Sequence, residues 1–151
     1  MYSFRKSKKG FTLIELMVVV AIIGVLALLG LRMYAGQQEK AKNAIVKANV
    51  GTVQTQIQTE LADASVSDVW NYIQGNTNPI NNGSNLIKDT GIHNPFTGSA
   101  QQSNGTYATG GTGGTKGVVA VDYTSGEDCF YVNGYDADGN AVYDSDLQAC
   151  K

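Results

Sequence analysis

Residues 16–31 carry no charged side chain, and extending the apolar stretch back to Phe11 adds only one, Glu15. As a helix, 16–31 is about 24 Å long, and the added residues bring it to the length a bilayer crossing needs. Beyond Arg32 the pattern changes period. Ala41, Ala44, Ile45, Ala48, Val53, Ile57, Leu61 and Ala64 recur at near-helical spacing, with Gln37, Lys40, Lys47, Gln54, Gln58 and Glu60 mainly on the other sides. The spacing predicts one helix over 11–63, about 80 Å long, apolar all round in its first half and amphipathic in its second. A coiled coil is the competing reading, but strict heptads and charge pairs flanking the seam are missing.

Ser65 or Ser67 is placed to cap a short helix around 68–73, with Val69, Trp70 and Ile73 as its apolar side. From 75 to 117 the chain is rich in Asn, Gly, Thr and Ser and predicts a long loop, pinned by Ile87, Ile92 and Phe96. Strand-like runs follow at 118–123, 129–135 and 141–143, with 136–140 as a hairpin connection between the last two. The expected fold class is α+β, with a long N-terminal helix packed on a small antiparallel β-sheet head. Trp70 is then a core anchor, and the tail 145–151 is stapled back to the strand at Cys129. Expected segments are a basic leader at 1–10, a membrane-spanning half-helix at 11–35 and a globular head at 36–151.

Charge sharpens the picture. Arg5, Lys6, Lys8 and Lys9 precede the apolar run; removing those four from the 11 basic residues leaves seven against 13 acids. The basic start reads as an orientation signal that keeps the N-terminus cytoplasmic, and the acidic remainder offers no nucleic-acid footprint. A secretory signal would place its small-residue cleavage site after the apolar run. Here Gly10 comes before it, although Ala27 and Gly30 leave late cleavage as an alternative.

Glu15 is the anomaly, because a carboxylate within a span costs roughly 2.5–3.5 kcal/mol at the bilayer centre on insertion scales. A cut between Gly10 and Phe11 would create an α-amino group about one helical turn away. Pairing that amine with Glu15, in the same chain or a neighbouring copy, offsets much of the burial cost and makes the pair a register device for self-assembly.

The segment from Lys9 and Gly10 through Phe11, Thr12, Leu13, Ile14 and Glu15 to Leu26 resembles the N-terminus of type IV pilins and related pseudopilins. The resemblance implies cleavage after Gly10 by a prepilin peptidase and N-methylation of Phe11, with Glu15 neutralising a neighbour's N-terminus during assembly. It further implies a homopolymer of pilin subunits raised by an assembly platform, with the chain held in the cytoplasmic membrane before it joins an extracellular filament. The filament's role would be adhesion, twitching motility or DNA uptake. The alternative within the resemblance is a pseudopilin of a type II secretion or competence machine. Family members often carry a proline where Arg32 stands; this chain has none before Pro79.

Other chemistry is sparse. Cys129 and Cys150 can pair once exported, whereas unpaired thiols would belong to a reducing compartment. Asp136, Asp138 and Asn140, followed by Asp144, imitate half a calcium loop. The glycine comes at the fourth position instead of the sixth, and no glutamate closes the loop, so a solvated hairpin turn is the simpler reading. The glycine run at 109–115 lacks the lysine and hydroxyl ending of a phosphate loop. His93, the single histidine, has no evident nucleophile partner. No catalytic set and no cofactor signature is visible, and the aromatics read as packing. A monomeric membrane-anchored binding protein or enzyme would leave Glu15 unpaired, which argues against it.

Overall fold

The computed structural model describes residues 10–76, 84–107, 111–124 and 126–151. Three helices, α1 (Leu13–Asp63), α2 (Val66–Gln74) and α3 (Leu86–Asp89), precede three strands, β1 (Val119–Tyr123), β2 (Cys129–Gly134) and β3 (Leu147–Cys150). The chain divides between Gln38 and Glu39 into two compact units. The basic residues of the leader, Pro79, and Thr109 and Gly110 of the glycine run lie outside the described residues.

The first unit is helical from Leu13, and every large apolar side chain of that stretch stands exposed, from Phe11 at 89% to Val19 at 49%. This part of α1 is long and apolar enough to cross a membrane, and none of it is buried.

The second unit has a core of its own. The strands form one antiparallel sheet in the order β1-β2-β3, with Val121 opposite Val132 and Phe130 opposite Ala149. Val50, Val53, Ile57 and Leu61 of α1 share a buried cluster with Val119, Val121, Phe130, Val132 and Ala149. Trp70 of α2 joins it partly buried, its ring centroid 5.8 Å from Tyr123 and 6.1 Å from Phe130.

Local rules account for the short helices. Ser65 caps α2, its Oγ accepting from Asp68 N–H at 3.2 Å. Gly75, at φ +76°, ends α2 in the left-handed conformation. Its N–H donates to Tyr72 C=O and that of Asn76 to Asn71 C=O, a Schellman closure. Asn85, buried, caps α3 through Oδ1 and ties it to α2 by donating from Nδ2 to Ile73 C=O at 2.7 Å. The segment expected to be a long loop is therefore partly structured. Ile87 and Ile92 are buried as expected, while Phe96 is only half-buried, with the ammonium groups of Lys42 and Lys116 at 5.5 and 5.9 Å from its ring centroid.

The buried face of α1 departs from the expected one only over 41–50. Val53, Ile57, Leu61 and Ala64 are buried as expected, but Ala41, Ala44, Ile45 and Ala48 are exposed. The seam reaches back instead through Val50 and Val46, so that Val46, Val50, Val53, Ile57 and Leu61 follow at steps of four, three, four and four residues. Gly134 explains the choice: a Cβ there would lie 2.5 Å from Val46 Cγ1 and 2.8 Å from Val50 Cγ2. β2 approaches α1 over those two valines because glycine leaves room.

The third strand also lies elsewhere. Residues 141–143 make only an isolated bridge, Ala141 with Tyr135, and β3 is the tail segment Leu147–Cys150. The two are parts of one interrupted return strand. Val142 N–H donates to Gly134 C=O, and Leu147 pairs with Val132. Between these points β2 has one residue, Asn133, while the returning chain has four, residues 143–146. The surplus forms an outward excursion, a wide form of bulge.

Candidate functional site

The N-terminal motif is built around a helix start. α1 begins at Leu13, so Thr12 is its N-cap and Glu15 the third helical residue. Glu15 Oε2 accepts from Thr12 N–H at 2.9 Å and from Thr12 Oγ1 at 2.8 Å, and Glu15 N–H lies 3.4 Å from Thr12 Oγ1. This is a capping box, in which N-cap and third residue satisfy each other's backbone donors and place an acid at the positive end of the helix dipole. The threonine–glutamate spacing was visible in the sequence and identifies this role alongside the span anomaly. Gly10 and Phe11 precede the helix and are exposed. An enzyme acting at the Gly10–Phe11 bond would meet accessible backbone. Arg32 is exposed within α1.

At the other end of the chain, Cys129 and Cys150 form a disulfide with a Cα–Cα distance of 4.1 Å. They lie directly opposite in the β2–β3 register, at a closely spaced pair of the ladder. The bond therefore closes the sheet's outer hairpin rather than tying an irregular tail to it. Lys151 extends the closure: its N–H donates to Asp128 C=O, and its Nζ donates to Ala64 C=O just past the C-terminus of α1, at 2.6 Å.

The calcium-like residues are used differently from an ion loop. Asp136 Oδ1 accepts from Asp138 N–H and Asn140 N–H, each at 2.9 Å, so the carboxylate caps its own hairpin turn. Among the described residues no group of three or more His, Cys, Asp or Glu side chains is placed to hold a metal. His93 is exposed, its Nδ1 2.9 Å from Gly91 C=O.

The excursion at 143–146 borders a cleft of about 440 Å³ in the head. Asn133, buried beside it, donates from Nδ2 to Tyr143 C=O at 3.1 Å and to Asp146 Oδ1 at 2.7 Å, replacing the strand pairing that the surplus residues interrupt. Tyr107 donates its hydroxyl to Asp146 Oδ2, and burial, reinforced by that carboxylate, pushes its phenol well above the usual range. A second pair supports α2: Tyr72 OH donates to Asp89 Oδ2 at 2.7 Å, and Ser84 Oγ donates to the same oxygen at 2.5 Å. The hydrogen bonds from Ser84 and Tyr72 hold the Asp89 carboxyl below its ordinary value of 3.8, while burial raises Tyr72.

Comparison with known proteins bears on the N-terminal region first. Residues 5–31 match the family model described as "Prokaryotic N-terminal methylation motif". The chain is 42% identical over 62 residues to the fimbrial protein EcpB of Eikenella corrodens, covering 41% of this chain and 39% of that protein. It is 43% identical over 61 residues to a type IV major fimbrial protein FimA of Dichelobacter nodosus (40% and 38%). Against the type IV major pilin protein PilA of Myxococcus xanthus it is 42% identical over 52 residues (34% and 24%). The matched region thus spans about two fifths or less of these relatives' length. No solved structure matches the chain significantly.

Proposed function

Because the chain is homologous to type IV pilin and fimbrial proteins and carries the prokaryotic N-terminal methylation motif, we propose that it is a structural subunit of a type IV pilus, polymerising through the first half of α1. The observation that supports this reading is the pairing of a capped carboxylate, Glu15, with an apolar helix surface that none of the described residues covers. Each large apolar side chain moved from water into lipid or against another copy contributes about 1.5–3 kcal/mol. The first half of α1 is stable in membrane and in filament alike, and exposed in neither.

The order of events follows from that surface. The uncut chain sits in the cytoplasmic membrane with its basic leader inside. Prepilin peptidase cuts after Gly10 and the new Phe11 amine is methylated. The amine is then a charged partner for Glu15 of a neighbouring copy. Helices aligned so that the two charges meet are favoured over slipped ones, since a lone charge in an apolar interior is strongly unfavourable. The head, with its disulfide-closed hairpin, faces outward on the filament. The role is architectural and involves no catalysis.

Intact-mass measurement of subunits from sheared surface filaments tests this directly. The expected mass begins at Phe11 and carries one added methyl group; a subunit beginning at Met1, or after Ala27 or Gly30, contradicts it.

A further inference from the structure

The head cleft has a chemistry that filament assembly does not use. Its wall is the excursion 143–146, held out by the buried Asn133. Tyr107, Tyr135 and Tyr143 line it, with Asn140 and Asp144 exposed at its margin. Its volume, about 440 Å³, lies in the range of small-molecule sites, roughly 300–1,000 Å³.

The lining discriminates among ligand classes. No lysine, arginine or histidine lines the cleft among the described residues. Lys47 Nζ lies 5.5 Å from the Tyr143 ring centroid, but the charged side chains of the lining itself are aspartates, which disfavours an anion. Asp146 is already engaged by the Tyr107 hydroxyl and the Asn133 amide. Among the described residues that leaves Asp144 as the one lining carboxylate not engaged in a hydrogen bond, too few oxygen ligands for a hard cation. A purely apolar ligand would desolvate Asp144 and Asn140 without pairing them, at a cost. A polyhydroxylated ring meets both demands: a carboxylate accepts from two neighbouring hydroxyls, an amide both donates and accepts, and Tyr107 and Tyr143, both partly exposed, supply apolar surface for the ring's C–H groups.

We propose that this cleft binds a saccharide, with Asp144 and Asn140 contacting its hydroxyls and the Tyr107–Asp146–Asn133 network holding the wall in place. The site is complete in one copy and does not depend on the filament reading.

Saturation-transfer NMR on the full chain in detergent micelles tests it, with methyl β-galactopyranoside and methyl β-glucopyranoside as probes at about 10 mM, ample for a site of millimolar affinity. Transfer to ring protons of at least one probe is expected. It should fall at least about fivefold in the Asp144→Ala, Asn140→Ala double variant and stay unchanged in Asp128→Ala, which is remote from the lining. Should the double variant melt early, the isosteric Asp144→Asn alone is the comparison, with a smaller loss expected. Transfer to neither probe, equal transfer in the cleft variants, or displacement of the sugar by equimolar lysine methyl ester, which would mark an ammonium site, overturns the proposal.

Discussion

Residues 13–34 and 46–61 belong to the same helix, yet they meet opposite environments. In the first stretch Leu13 is 77% exposed and no large apolar side chain is covered; in the second Val46, Val50, Val53 and Ile57 are fully buried. The second stretch derives its stability from a sheet that its own chain supplies. The first has no such partner among the described residues, and under the proposed function its apolar surface is covered by lipid or other copies. One helix thus serves two energetic roles. Substitutions should separate them: changes in 46–61 are read in the melting of the head, and changes in 13–34 in membrane insertion and assembly.

The largest head effect should come from the disulfide. Replacing Cys129 and Cys150 with serine removes a cross-link across 21 residues and should destabilise the head by about 3 kcal/mol, measured by chemical denaturation under oxidising conditions. A wild-type curve unchanged by reductant would contradict the closure. Next is a matched pair of glycines. Gly134→Ala drives a methyl group into Val46 and Val50 and should cost about 1–3 kcal/mol by overpacking. Gly24→Ala meets nothing within 4 Å and should leave head melting unchanged. Equal effects would erase the distinction between the two halves.

The smallest effect is a pH dependence. The Asp89 carboxyl is held below its ordinary value of 3.8 in the folded head, so the unfolded chain takes up its proton first as pH falls. Its contribution is present above about pH 4 and is lost as pH drops through the folded value. Thermal melts between pH 6 and pH 3 should show a slightly shallower acid limb in Asp89→Asn than in wild type. An identical limb would remove Asp89 from the acid response.

Much of this was legible in the residues. The apolar run, the return of polar positions after Arg32, the Ser65 cap and the β1 and β2 runs all express local periodicity or capping. What periodicity could not supply was the phase of α1 over 41–50. Two stripes there carry small apolar residues, and the choice between them lies with Gly134, more than 80 positions away in sequence. Nor did the pattern locate β3. Leu147–Cys150 has two polar-flanked apolar positions and becomes a strand only because Val132, Phe130 and the Cys129 sulfur are already in register with it. The cleft follows from that same displacement, so it was equally hidden. The capping box at Thr12 and Glu15 was within reach, since its spacing is entirely local.

That capping box gives Glu15 a local role that must be separated from assembly. Glu15→Gln keeps a side chain able to cap Thr12 N–H but removes the charge, whereas Thr12→Ala removes the cap residue and keeps the charge, at a helix cost of about 1 kcal/mol. The decisive measurement is filament yield by electron microscopy from cells expressing each variant at equal membrane levels. Glu15→Gln should abolish or sharply reduce filaments, while Thr12→Ala should retain most of them. Wild-type filament yield from Glu15→Gln would contradict the charge's role in assembly.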